Sequence, residues 1–235
     1  MKRRDFLRTS AAISLAGAAV PSSAGYAADT KIDVHPFVRE HPDAVFVHYT
    51  SVGDKTDATA MRDAGSRLSK ELIVPSKTGW ATGATMNIKP NWTSAGPRDG
   101  HAVVEKLGIN TDPNFIEGWV GAMKALGPRN YFIRECCCPT QWEPMGWAAM
   151  CERAGIDLRD RSTMHIKDLQ KDKDIIFHKV PKGVVFSEVC YQAPMNEKGS
   201  CLINIAKLKS HGMGITTSIK NLQGITAKRF HQFCT

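Results

Sequence analysis

Apolar runs of strand length alternate with helix-spaced segments through the first two thirds of this chain, and that alternation narrows the folds open to it. Ala44 to Tyr49 reads as a buried strand, and Asp57 to Val74 as a helix with Met61, Ala64, Leu68 and Leu72 on one stripe. Ala84 to Lys89 reads as a second strand, stopped by Pro90. Thr111-Asp112-Pro113 opens a helix, with Asp112 as N-cap and Pro113 in its first turn; it runs to about Leu126 before Gly127-Pro128. Asn130 to Arg134 reads as a third strand, and Pro144 to Ala154 as a helix closed by Gly155. Strands then dominate. Asp174 to Val180 and Val184 to Val189 suit a hairpin about Pro181-Lys182-Gly183, Cys201 to Ala206 is a further strand, and Thr216 to Leu222 a short helix with Gly224 just past it. Lys31 to Pro42 reads as an irregular lead-in. This order predicts a mixed α/β fold: a mainly parallel sheet with helices on both faces and antiparallel strands toward the C-terminal half.

The first 28 residues predict a route rather than a fold. Arg3-Arg4-Asp5-Phe6-Leu7-Arg8 precedes a weakly apolar stretch from Ala11 to Val20, and small residues follow through Ala28. A paired arginine before a mildly hydrophobic core is the pattern of a twin-arginine export signal, cleaved after Ala24 or Ala27. The expected location is therefore periplasmic or exported, after folding in the cytoplasm. Residues 29–235 form a single expected α/β domain. No closing element is visible at Phe233-Cys234-Thr235, so a truncated C-terminus is part of this expectation.

The chain carries 31 Lys and Arg against 23 Asp and Glu, a formal net charge of +8. These basic residues are dispersed apart from a cluster near the C-terminus. With an exported location, that distribution excludes nucleic acid as the expected partner and favours an anionic small molecule. No stretch after the signal reaches membrane-spanning length, so no stable span is expected.

Three clusters carry candidate chemistry. The densest is Ile203-Asn204-Ile205-Ala206-Lys207-Leu208-Lys209-Ser210-His211-Gly212-Met213-Gly214. An extended backbone puts Lys207, Lys209 and His211 on one face. Two glycines then allow a tight turn into a helix bearing Lys220 and Asn221, an arrangement suited to anions. It lacks the Gly-Lys-Ser/Thr of a phosphate loop and the third glycine of a dinucleotide fingerprint. The second cluster, Lys89-Pro90-Asn91-Trp92, lies at the C-terminal end of a predicted strand, where ligands of open α/β sheets bind. Lys207, Lys220, Lys89, Asn91 and Asn221 are thus candidate ligand-binding residues, joined by His231. Lys209 and His211 are the candidates for catalysis, His211 as a proton carrier near neutral pH.

The third cluster is Arg134-Glu135-Cys136-Cys137-Cys138-Pro139. There are seven cysteines, an odd number that leaves one without an intrachain disulfide partner. Thiolates at Cys136, Cys137 and Cys138, with Cys151 on the next helix, could ligate a metal ion or an iron–sulfur cluster. The same residues equally suit buried filler and a disulfide half.

Leu202-Ile203-Asn204-Ile205-Ala206-Lys207-Leu208-Lys209-Ser210-His211-Gly212 and then Ser218-Ile219-Lys220-Asn221-Leu222-Gln223-Gly224 resemble the paired signature of the domain-of-unknown-function family 362. Ile88-Lys89-Pro90-Asn91-Trp92 and Thr111-Asp112-Pro113 resemble its N-terminal part, and His231 matches a histidine that recurs after the Lys-Asn-x-x-Gly segment. Ala206 stands where the family usually has proline, and Ser210 where threonine is usual. The resemblance spans about residues 84–235. It implies an α/β fold without a settled activity, and redox association, because some members carry ferredoxin-like iron–sulfur modules. Two alternatives to anion binding follow: an iron–sulfur or other metal-binding redox protein, and an accessory protein docking to a redox partner in a membrane complex.

Overall fold

The parallel sheet at the centre of the molecule has its strands in the order Ile156–Asp160, Asn130–Glu135, Thr85–Pro90 and Cys201–Ile205, all four running the same way. In this computed structural model residues 30–92, 108–135, 142–160, 173–195, 197–211 and 214–226 are described. The sheet strands are β4 (Thr85–Pro90), β5 (Asn130–Glu135), β6 (Ile156–Asp160) and β9 (Cys201–Ile205). Helix α3 (Pro113–Ala125) connects β4 to β5, and helix α4 (Trp147–Arg153) connects β5 to β6. The chain then returns to place β9 on the other side of β4. The direction of winding therefore reverses between β4 and β9, the kind of position where open α/β sheets bind ligands beyond the carboxyl ends of their strands.

An antiparallel N-terminal sheet adds β1 (Lys31–Val34) between β2 (Ile73–Ser76) and β3 (Trp80–Ala81). Helix α1 (Pro36–Glu40) and helix α2 (Ala58–Leu72) connect β1 to β2. Two hairpins follow in the C-terminal half: β7 (Ile175–Lys179) with β8 (Glu188–Gln192), and β10 (Lys209–His211) with β11 (Gly214–Thr216). A short helix α5 (Ser218–Asn221) runs into a 3-10 turn, Leu222–Ile225. Among the described residues no helix is long and apolar enough to cross a membrane.

Local sequence explains the two long helices. Asp57 caps α2 by accepting from the backbone N–H groups of Thr59 and Ala60, and Asp112 caps α3 by accepting from Asn114 and Phe115, with Pro113 preset for the first turn. The helices cross closely, because a Cβ on Gly65 would lie 2.0 Å from the Phe115 carbonyl oxygen and one on Gly118 1.9 Å from that of Arg62. Ile116, Trp119, Val120 and Met123 of α3 then reach the sheet residues Met86, Ile88, Tyr131, Ile133 and Ile203 in one core. Trp92, just past β4, stacks on Trp147 of α4 with ring centroids 4.4 Å apart.

Several expectations change. Ala44 to Tyr49 is not a strand: Val45, Val47 and Tyr49 are 84%, 59% and 81% exposed. The first strand instead lies in the polar lead-in, where Ile32 and Asp33 are buried. β6 is a strand that the apolar pattern did not mark. The hairpin about Pro181-Lys182-Gly183 forms, but its second strand is Glu188–Gln192, leaving Val184 and Val185 exposed. The segment read as a helix from Thr216 begins only at Ser218, because Thr216 pairs with Lys209 in the β10–β11 hairpin. The export signal of residues 1–28 lies outside the described residues.

Candidate functional site

Polar side chains gather where β4, β5 and β9 end, around one buried amine. Lys89 is 1% exposed. Its Nζ donates to Glu135 Oε2, to the Pro90 carbonyl at 2.5 Å and to Asn221 Oδ1 at 3.3 Å. A buried lysine is tolerable only with a counter-charge and filled hydrogen bonds, and the adjacent strand supplies the carboxylate. Glu135 Oε2 also accepts from the Trp92 backbone N–H at 3.3 Å.

Asn221 uses all four of its side-chain hydrogen-bonding positions. Its Oδ1 accepts from Lys89 and from Asn91 Nδ2 at 2.9 Å. Its Nδ2 donates to the Lys89 carbonyl at 3.1 Å and to Asn204 Oδ1 at 2.8 Å. Asn204 Nδ2 in turn donates to the Ser218 carbonyl at 2.8 Å, tying α5 to β9. Thr111, ahead of α3, closes the other side. Its hydroxyl accepts from the Asn91 N–H at 2.9 Å and donates to the Ile205 carbonyl at 2.7 Å.

Gly224 completes the packing. A Cβ there would lie 2.5 Å from Glu135 Oε1 and 2.6 Å from Lys89 Cε. This explains the spacing Lys220-Asn221-x-x-Gly224: the asparagine bonds the strand ends, and the glycine lets the following turn rest on the ion pair. Gln192 of β8 donates to the Gly224 carbonyl at 3.3 Å. Asn91 and Gln192 are almost fully buried, yet Asn91 Oδ1 and Gln192 Oε1 have no donor among the described residues.

Of the residues the sequence singled out, the structure brings together Lys89, Asn91 and Asn221. Lys207 is half-buried just past β9 and Lys220 half-buried on α5; neither has an ionic partner among the described residues, and Lys220 Nζ itself is buried without an acceptor. Lys209 points elsewhere, donating to the Ile109 carbonyl at 2.8 Å. His211 ends β10, and its side chain lies outside the described residues, as do His231, Cys136, Cys137 and Cys138 entirely. The expected helix-start anion site is replaced by a hairpin and a helix of one turn, too short to build a macrodipole. Cys151 sits in the core beside Trp147 and Met150, and burial pushes its thiol up to about 12. Among the described residues no three His, Cys, Asp or Glu side chains gather in an arrangement able to hold a metal ion.

Glu135, Asn204 and Thr111 complete the network although the sequence gives none of them a site role; a carboxylate at the end of β5 and an asparagine inside the otherwise apolar β9 are the signals that mark two of them.

A crevice runs from this cluster toward α2 and α3. It holds about 400 Å³, with Thr111 and Asn204 in its wall. The molecule is thus an α/β protein whose parallel sheet carries a buried Lys-Glu-Asn network at its topological switch, beside an open cleft. It belongs to the family described as Domain of unknown function (DUF362), whose model matches residues 87–234. Every residue of the Lys-Glu-Asn network lies within that span. No curated protein and no solved structure matches the chain.

Proposed function

We propose that this protein binds a small anionic molecule at the β4–β9 switch, at the edge of the Lys-Glu-Asn network. The observation carrying this reading is that Lys207, half-buried in the crevice wall, and Lys220, whose Nζ is buried next to Asn221 in the chain, have no carboxylate partner among the described residues. Lys89 has a different task. Its charge is balanced by Glu135, so it fixes Asn221 and the strand ends rather than meeting the ligand. Asn91 Oδ1, buried and without a donor among the described residues, is the acceptor this reading assigns to a donor group on the ligand. His211 is the proton carrier of this reading and Lys209 its neighbour on β10.

Calorimetric titration with citrate and with inorganic phosphate tests it. The Lys207→Gln, Lys220→Gln double variant should retain its fold and lose at least about tenfold in affinity, as expected for lost charge-assisted hydrogen bonds. Unchanged affinity for both anions would end the reading. Export is part of the same proposal, resting on Arg3 and Arg4. Replacing both with lysine should hold the protein in the cytoplasm, and normal export of that variant would remove this part.

A further inference from the structure

The crevice beside the network has a composition of its own. Its long wall is apolar: Leu68 and Leu72 from α2, Phe115 and Trp119 from α3, Ile203 and Ile205 from β9. Its polar lining is mostly committed. Asp112 is occupied in capping α3, and the positive end of that helix offsets its charge. Thr111 and Asn204 are hydrogen-bonded within the network. Three donors have no partner among the described residues: Lys207 Nζ, the exposed Ser218 hydroxyl, and the buried indole Nε1–H of Trp119, a residue only 6% exposed.

An apolar trough of about 400 Å³ with spare donors and no spare acidic group suits one kind of occupant. We infer that the ligand is an amphipathic monoanion, a medium-length hydrocarbon carrying one carboxylate, with its body between α2, α3 and β9. Its head is neutralised by Lys207. This deepens the anion-binding reading and rests on it, since the same edge of the sheet supplies the charge. A small, highly charged anion would leave the trough unfilled, and a neutral hydrocarbon would leave Lys207 and the indole N–H unanswered.

The test is a titration series with acetate, hexanoate, octanoate and decanoate, each below its aggregation limit, beside inorganic phosphate. Affinity should rise about fourfold for each added methylene until the trough is full. Ala206→Phe, which places a ring in the trough, should abolish decanoate binding with the far-ultraviolet circular dichroism and melting midpoint unchanged. Lys207→Gln should weaken decanoate about tenfold and leave the chain-length slope intact, which keeps the test informative if Ala206→Phe folds poorly. Phosphate binding that depends on Lys207 and Lys220, with no gain from chain length, would overturn this inference and leave the anion reading standing. No binding by any of these anions would overturn both. Decanoate binding indifferent to both variants would mean adsorption elsewhere and would also overturn the inference.

Discussion

The two faces of the parallel sheet are built on opposite plans. Met86 lies level with Tyr131 and Cys201, and Ile88 with Ile133 and Ile203, so these side chains share one face, which α3 covers. The alternate positions Asn87, Lys89, Arg134 and Asn204 share the other. There, coverage comes from irregular chain held by named hydrogen bonds. Asn87 Nδ2 donates to the Pro194 carbonyl at 3.1 Å, Arg134 Nε to the Ala193 carbonyl at 2.8 Å, and Asn221 bonds to Asn204. The apolar face gains stability from area, which is non-directional and forgiving. The polar face gains it from partners, each of which is costly to lose.

Removing one partner on the polar face should produce the largest loss. Lys89→Met leaves Glu135 buried without its counter-charge and should lower unfolding free energy by about 3–5 kcal/mol in urea titration. Adding Glu135→Leu should recover most of that loss, because two apolar groups replace a pair instead of stranding half of it. A single-variant loss below about 1 kcal/mol would break the contrast between the faces. Asn221→Asp comes next. It turns two donated hydrogen bonds into contacts between acceptors at the Lys89 carbonyl and Asn204 Oδ1, and should cost about 2–3 kcal/mol by the same measurement. Gly224→Ala then forces a methyl against Glu135 and Lys89, and overpacking of this kind should cost about 1–3 kcal/mol.

This contrast also explains what could be read from the sequence. The helices α2 and α3 were legible because their starts are local: Asp57 and Asp112-Pro113 act within one turn of the chain. Lys89, Asn91 and Asn221 were legible as polar residues beside a strand end and within a glycine-bounded turn. Their partners were not. Glu135 matters because β5 lies beside β4, and Asn204 because β9 lies on the other side, facts of strand order that no local pattern carries. The same limit misplaced the first strand. Val45 and Val47 have strand-like side chains, yet a strand needs a neighbour, and the available edge was taken by the polar segment Lys31–Val34 between β2 and β3. Thr216 reads as a helix start from local sequence, but its pairing with Lys209 across the β10–β11 hairpin holds it in a strand and delays the helix to Ser218.

The smallest effect belongs to the apolar face, and it sharpens the comparison most. Ile88 is fully buried in the centre of that face, one position before Lys89 on the same strand. Ile88→Val removes one methylene from a close-packed site and should cost about 0.5–1.5 kcal/mol, with no change in the slope of the urea transition. Its neighbour Lys89 should cost several times more when replaced by methionine, a side chain of comparable length. Two adjacent residues with the same burial and the same backbone would then differ only in what their side chains require of their surroundings. If Ile88→Val costs as much as Lys89→Met, steric fit governs both faces, and the polar network is packing rather than a set of directional bonds.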